Sequence, residues 1–323
     1  MKPMPKLVFV HRGEAMYPMN KSLRAYLADR VECFDETPET ATARPDIGEC
    51  VCWHVMGMQR KSLPCKFTIH DYRSLSVGRF RGAKDWIKRH FNAIPDARVS
   101  KPEIEAVMKF RDDVDTVLID ISVSDSVLQY RKRPSQKPLY DFGYVGVMSR
   151  ERGFENVLKR FLDGQQTSRT ILLIGRVEDG IDQQFADADN IIFTGPLPQN
   201  EVFERLADVG VALGYFPNHA PHIYQTPTKL LEYGALGMRI LCNEQPMNRA
   251  RAKDYGLNAV WRNDDNLFEN LPSLVDWPDN YLVDPEPLLF STHYAQSGLE
   301  SLLERAFAGS EGAKKPVSDL TRF

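Results

Sequence analysis

The stretch Thr226-Pro227-Thr228-Lys229-Leu230-Leu231-Glu232-Tyr233-Gly234-Ala235-Leu236-Gly237, followed by Met238-Arg239-Ile240-Leu241-Cys242, narrows the possible folds more than any other part of the chain. Thr226 is a residue type that caps helices, and Pro227 suits a first helical turn. Leu230, Leu231 and Ala235 make an apolar stripe at helical spacing. Gly237 is a stop signal, and Ile240-Leu241-Cys242 reads as a short buried strand. A loop, a helix and an immediate return to a buried strand describe one turn of an α/β sheet. The helix start offers unpaired N–H groups and the positive end of a dipole, which suits an anion such as a diphosphate. Glu232 sits about one and a half turns in, within reach of a hydroxyl-bearing ligand bound there.

The region upstream repeats the alternation of strand and helix. Tyr140 to Val147 predicts a strand, Arg150-Glu151-Arg152-Gly153 a turn, and Phe154 to Leu162 a helix. Thr170 to Gly175, Asn190 to Gly195 and Val209 to Leu213 predict three more strands. In open sheets of this kind ligands bind beyond the carboxyl ends of the strands. Arg150 and Arg152 are therefore expected at a strand's carboxyl end and a helix's start.

These segments resemble, in order, the donor domain of GT-B glycosyltransferases, in particular the large retaining family 4. The Pro227-x-Lys229-Leu230-x-Glu232-Tyr233-x-Ala235-x-Gly237 helix is similar to that family's nucleotide-sugar helix, and the match runs from residue 140 to 255. The resemblance implies two Rossmann-like α/β domains facing each other across a cleft. It implies that Glu232 holds the ribose hydroxyls, and that Arg150 and Arg152 neutralise the donor diphosphate in catalysis. Gly146, Gly175, Thr226, Pro227, Thr228 and Lys229 complete the expected donor site. The first of the two Glu that many family members carry falls on Tyr224 here, which leaves the donor-sugar contacts and the retaining mechanism open.

The 323 residues suit two domains. The expected division is 1–139 for the acceptor side and 140–287 for the donor side. A helix over 288–309 is expected to cross back to the first domain, with a loose tail from 310 to 323. Arg131-Lys132-Arg133-Pro134-Ser135-Gln136-Lys137-Pro138 reads as the linker between the domains. Residues 1–139 carry 24 Lys and Arg against 18 Asp and Glu, and the remainder 17 against 26. A basic first half fits an anionic partner or a membrane surface, and mere drift in composition is the alternative.

The five cysteines, Cys33, Cys50, Cys52, Cys65 and Cys242, form no Cys-x-x-Cys pair and fit a reduced, cytosolic protein. Cys50 and Cys52 alternate along a strand and should share one buried face. The apolar run Leu7 to Val10 is far shorter than the roughly 20 residues of a membrane span.

In the first half, Leu7 to Val10 predicts a strand, and Arg12, Gly13 and Glu14 follow it where an acceptor could bind. Val31 to Phe34, Glu49 to His54 and Lys66 to Asp71 predict further strands, with a polar stretch from Asp35 to Pro45. His70-Asp71 reads as the polar tip of its strand. The resemblance places His70 in the active site facing the donor sugar, with Asp71 beside it; a helix-capping role for His70 is the alternative. Arg79 to Phe91 predicts a helix with Phe80, Ala83, Ile87 and Phe91 on one face and Arg79, Arg81, Lys84, Lys88 and Arg89 around it. Packing of the apolar face on the sheet is the favoured reading, and a basic face meeting anionic lipid is compatible with it.

No nucleic-acid motif accompanies these basic residues. Neither a dinucleotide-binding nor a P-loop glycine pattern occurs. Asp113-x-Asp115 and Asp187-x-Asp189 sit in acidic turns and are discounted as metal sites. His219 and His222 show no third ligand at metal spacing, so no metal is assigned. The expected activity is transfer of a sugar from a nucleoside-diphosphate sugar to a glycan or lipid-linked acceptor. It is expected to be retaining, with no metal or other cofactor, in the cytoplasm or peripherally on the inner membrane face. An inverting transferase, an epimerase or a non-catalytic nucleotide-sugar-binding subunit are the alternatives.

Overall fold

Strands such as Lys6–Val10 and Ile171–Ile174 are almost wholly buried apolar runs, as strands are when a parallel sheet is covered on both faces. The computed structural model describes residues 3–13, 18–76, 79–164, 168–219 and 222–308. The chain divides into two units, one of residues 1–120 with 294–323 and one of residues 121–293.

The first unit contains β1 (Lys6–Val10), α1 (Pro18–Tyr26), β2 (Glu32–Glu36), α2 (Pro38–Ala43), β3 (Val51–Val55) and β4 (Phe67–Tyr72), then α3 (Arg81–Phe91), β5 (Ala97–Ser100), α4 (Pro102–Met108) and β6 (Thr116–Leu118). Its six strands are parallel in the order β2-β1-β3-β4-β5-β6. Helix α2 lies in the stretch read as merely polar. Its signal is a capping box: Thr37 Oγ1 accepts from the Thr40 N–H, the Thr40 hydroxyl accepts from the Thr37 N–H, and Pro38 opens the first turn. Cys50 and Cys52 do share one buried cluster with Val8 and Val10.

The second unit contains β7 (Tyr140–Val145), α5 (Phe154–Asp163), β8 (Ile171–Ile174), α6 (Ile181–Gln184), β9 (Ile191–Gly195) and α7 (Gln199–Leu206), then β10 (Val209–Gly214), α8 (Thr228–Leu236), β11 (Arg239–Asn243), α9 (Pro246–Asp254) and β12 (Val260–Arg262). Its sheet is also six-stranded and parallel, in the order β12-β11-β10-β7-β8-β9. That is the doubly wound Rossmann order, with its reversal between β7 and β10.

The first unit ends at Asp120, earlier than the expected 139. The basic run read as a linker is bound to the second unit. The Arg131 guanidinium donates to the carbonyls of Gly234 and Ala235 at the end of α8, and to those of Asn280, Tyr281 and Val283. Arg239 donates to the Ser135 carbonyl, and the Tyr130 ring packs on Phe203.

The stretch expected as one helix over 288–309 is two, α10 (Phe290–Gln296) and α11 (Leu299–Ala308), divided at Gly298 with φ of +84°. Helix α11 belongs to the first unit. Glu300 accepts from Arg30 and from the Tyr26 hydroxyl, and Lys66 donates to the Phe307 carbonyl.

Helix α3 departs most from expectation. None of its residues is buried. Phe80 is 64% exposed, Trp86 51% and Phe91 54%. The apolar face read as core is turned to the surface. Arg89 instead ties the helix down by donating to the Met108 carbonyl at the end of α4.

Candidate functional site

In a doubly wound sheet, the loops leaving two neighbouring strands diverge to opposite faces at the point where the strand order reverses, and the crevice between them receives the ligand. In the second unit this point lies beyond β7 and β10. The loop after β7 holds Gly146, Arg150 and Arg152, and the loop after β10 leads into α8.

Hydrogen bonds join these loops. The Tyr215 hydroxyl donates to the Arg152 carbonyl at 3.0 Å, and a ring nitrogen of His219 lies 3.0 Å from the Glu151 carbonyl. Beneath them, the Val145 N–H at the end of β7 donates 3.0 Å to the Tyr233 hydroxyl of α8. The Glu-Tyr pair of the motif therefore divides its work, with Tyr233 anchoring the helix to the sheet and Glu232 one residue earlier.

The start of α8 lies one residue later than expected. Pro227, not Thr226, is the N-cap, and among the described residues no side-chain capping bond is made at it. The first N–H groups are thus not satisfied by a capping side chain, as suits an anion site. Thr226 and Pro227 are buried, and Thr228 and Lys229 half-buried. Glu232 is buried, and its carboxylate accepts from Lys229 Nζ at 2.6 Å. Gly237 ends the helix with φ of +80°, and β11 follows fully buried, as expected.

Arg150 is 60% exposed and pairs with Glu155 in the first turn of α5 at 3.1 Å. Arg152 stands closer to the sheet, beside the Tyr144 hydroxyl. Burial raises the pKa of that hydroxyl, and the Arg152 charge partly opposes the rise. Gly146 and Gly175 are explained by the protein itself. A Cβ on Gly175, whose φ is +137°, would stand 2.1 Å from the Gly146 carbonyl oxygen, and one on Gly146 would stand 2.6 Å from the Tyr144 hydroxyl.

A buried amide network, which the sequence did not announce, fixes the loop after β10. Asn243 bonds to both the N–H and the carbonyl of Phe216 and to Asp264, while Asn248 donates to the Gly214 carbonyl and to Asn243. Nearby, Glu151, His219 and His222 bring one ligand atom each within 4.8 Å of one another. The third ligand that sequence spacing lacked comes from the other loop.

In the first unit the strand order reverses between β1 and β3, which singles out the loop after β1. Arg12 and Gly13 are there and exposed, Gly13 with φ of +74°. Glu14 lies outside the described residues. His11 is engaged with Asp35 on one side and accepts from the Gly13 N–H on the other.

His70 and Asp71 do not form a polar tip. Strand β4 continues to Tyr72 and is buried throughout. The Asp71 carboxylate accepts from the Trp53 indole at 2.9 Å and pairs with Arg73 at 2.5 Å. Burial pushes its pKa up, against the pull of those two partners. Asp71 is thus a core ion-pair member rather than an acceptor-facing group. His70 is 1% exposed, pairs in register with His54 and Arg98, and meets the His54 ring at 5.5 Å. Burial depresses the pKa of His54 to about 4, and burial with the neighbouring His54 and Arg98 depresses that of His70 to about 3. Both rings are neutral near pH 7.

Two doubly wound parallel sheets in one chain match the two Rossmann-like domains of a GT-B fold. No protein-family model matches the chain, and neither does any curated protein sequence. Solved structures match over nearly its whole length. The HepE protein of Anabaena, in complex with UDP and glucose, superposes with a TM-score of 0.63 at 10% identity, over 93% of this chain and 99% of that one. AviGT4, a glycosyltransferase involved in avilamycin A biosynthesis, gives 0.59 at 15% identity, over 95% and 99%. The UDP-GlcNAc 2-epimerase of Neisseria meningitidis bound to UDP-GlcNAc gives 0.54 at 9% identity, over 94% and 100%. Among the described residues, no helix is long and apolar enough to cross a membrane.

Proposed function

We propose that the protein is a retaining glycosyltransferase of the family 4 type, moving a sugar from a nucleoside-diphosphate sugar to a glycan or lipid-linked acceptor. The observation that supports this reading is that Arg152, in the loop after β7, and α8 with its Glu232–Lys229 pair, after β10, follow the two strands where the sheet order reverses. As the bond from the anomeric carbon to the diphosphate breaks, negative charge builds on the leaving oxygens. Arg152, Arg150 and the N–H groups of Thr228 and Lys229 stabilise that charge. Glu232, oriented by Lys229, accepts from the ribose hydroxyls. No metal ion takes part in the bond breaking. Arg12 and Gly13 face the acceptor. His70 acts as a neutral positioning group beneath that edge.

The acceptor class is supported by α3, where exposed Phe80, Trp86 and Phe91 share a surface with Arg79, Arg81 and Lys84. Aromatics beside cations suit an anionic lipid surface, reached from the cytoplasm. Co-sedimentation with phosphatidylglycerol vesicles at low salt should be lost when Phe80, Trp86 and Phe91 are all changed to Ser.

The donor site is tested by thermal shift with UDP, GDP and ADP. The neighbours bound to UDP or a UDP-sugar make UDP the first choice. At a hundredfold excess over the dissociation constant, binding adds about 2.7 kcal/mol, and Glu232→Ala should abolish the gain. No shift with any of the three nucleotides would reject the donor site. A second reading is favoured by Tyr224 in place of the family's first Glu and by the fold shared with a UDP-GlcNAc epimerase. Product analysis separates the two, because a transferase releases the free nucleoside diphosphate and an epimerase returns an altered sugar still attached to it.

A further inference from the structure

We propose that Glu151, His219 and His222 bind a zinc ion that ties the loop after β7 to the loop after β10. Two imidazoles and one carboxylate are a borderline donor set. It suits zinc and neighbouring transition ions, whereas magnesium and calcium favour all-oxygen sites. The ligand atoms lie within 4.8 Å of one another, a separation that three ligands about 2 Å from a common ion can close.

The surroundings of the two rings are the stronger argument. Histidines that hold a metal usually donate their other ring N–H to a carbonyl or carboxylate, which fixes the tautomer and turns the lone pair toward the ion. Both rings here have such an acceptor. His222 Nδ1 lies 3.1 Å from Gln225 Oε1, and His219 Nε2 lies 3.0 Å from the Glu151 carbonyl. In the tautomer that gives Nδ1–H to Gln225, the His222 Nε2 lone pair faces the Glu151 carboxylate at 3.4 Å, and a zinc ion between them would take both as ligands while also engaging His219. The His222 ring is buried and held edge-on by His219 and Phe216. Glu151 and His219 are exposed, so solvent can supply the remaining ligand. The ion is a tie between loops and takes no part in the bond breaking proposed above.

Zinc chloride titrated calorimetrically into the metal-stripped full chain, without nucleotide, tests the site apart from any donor chemistry. One zinc per chain should bind at micromolar concentration or tighter. Glu151→Gln and His222→Ala should each remove that binding. Gln225→Ala, which leaves all three ligands in place, should weaken it by roughly tenfold to a hundredfold. Cobalt(II) in place of zinc should give the visible d–d bands of a four- or five-coordinate site without thiolate charge transfer. Undiminished zinc binding by both ligand variants, a thiolate–cobalt band that places the ion on cysteines, or no stoichiometric binding by the parent chain would each overturn the proposal. Far-ultraviolet circular dichroism of each variant, expected to match that of the parent chain, keeps the test clear of misfolding.

Discussion

The two units follow the same rule of construction and differ in where their polar residues end up. In the second, the residues singled out by motif stand beyond β7 and β10, where the strand order reverses. In the first, the reversal lies at β1 and β3, while His70 and Asp71 lie inside β4. A polar residue near the end of a strand is therefore a weak sign of a site until the strand's place in the sheet is known. His70 and Asp71 are both buried.

Four measurements would break or sharpen that contrast. Asp71→Ala should have the largest effect. It leaves the Arg73 guanidinium and the Trp53 indole without their common partner, and losing one member of a buried ion pair costs about 3–5 kcal/mol. Urea unfolding should show that loss, while the nucleotide-induced shift in the surviving folded protein stays as in the parent. A loss of nucleotide binding at unchanged stability would return Asp71 to the site.

Gly175→Ala comes next, at about 3 kcal/mol, from overpacking against the Gly146 carbonyl and from its positive φ. Gly13→Ala, also at positive φ but with open space around it, should cost only about 1–2 kcal/mol. Equal costs at the two glycines would show that the edge of the second sheet is not the more tightly built.

Acid should then weaken the first unit through its buried imidazoles. His54 and His70 have folded pKa values of about 4 and about 3, against 6.5 for a free imidazole. Below pH 6.5 the unfolded chain takes up protons that the folded one refuses, so stability falls as pH falls. The loss begins near 6.5 and continues toward the folded values. Between roughly pH 6.5 and 5.5 it should reach about 2 kcal/mol for the two rings together. His70→Gln should flatten that slope, and an unchanged slope would mean that His70 is open to water. The smallest effect is expected from Tyr233→Phe, about 1 kcal/mol for the hydrogen bond to the Val145 N–H, accompanied by weaker nucleotide stabilisation if α8 depends on that anchor for its aim.

The legible parts of the sequence were those where local chemistry and tertiary role coincide. Gly237 stops a helix by its own conformational freedom, and Ile240 to Cys242 is buried because it is apolar. The two-sheet architecture followed from such segments in order. What escaped notice depended on partners far away in the chain. Arg131 looked like a solvated linker residue, because the carbonyls it binds belong to α8 and to residues 280–283. Glu151 reaches His219 and His222 from the other loop. Helix α3 misled in the opposite sense, since its apolar periodicity is real but faces outward.

The place where the chain leaves and re-joins the first unit has a practical consequence. The Val123 N–H donates to the Leu288 carbonyl, and the Phe290 N–H donates back to Val123. The incoming and outgoing segments of the second unit are thus fastened to each other, and that unit is an insertion with adjoining ends. Residues 121–293 therefore make a natural transplantable module, whereas a cut at residue 140 would discard both the fastening and the Arg131 clamp. A graft of this module into another host protein needs only two neighbouring attachment points.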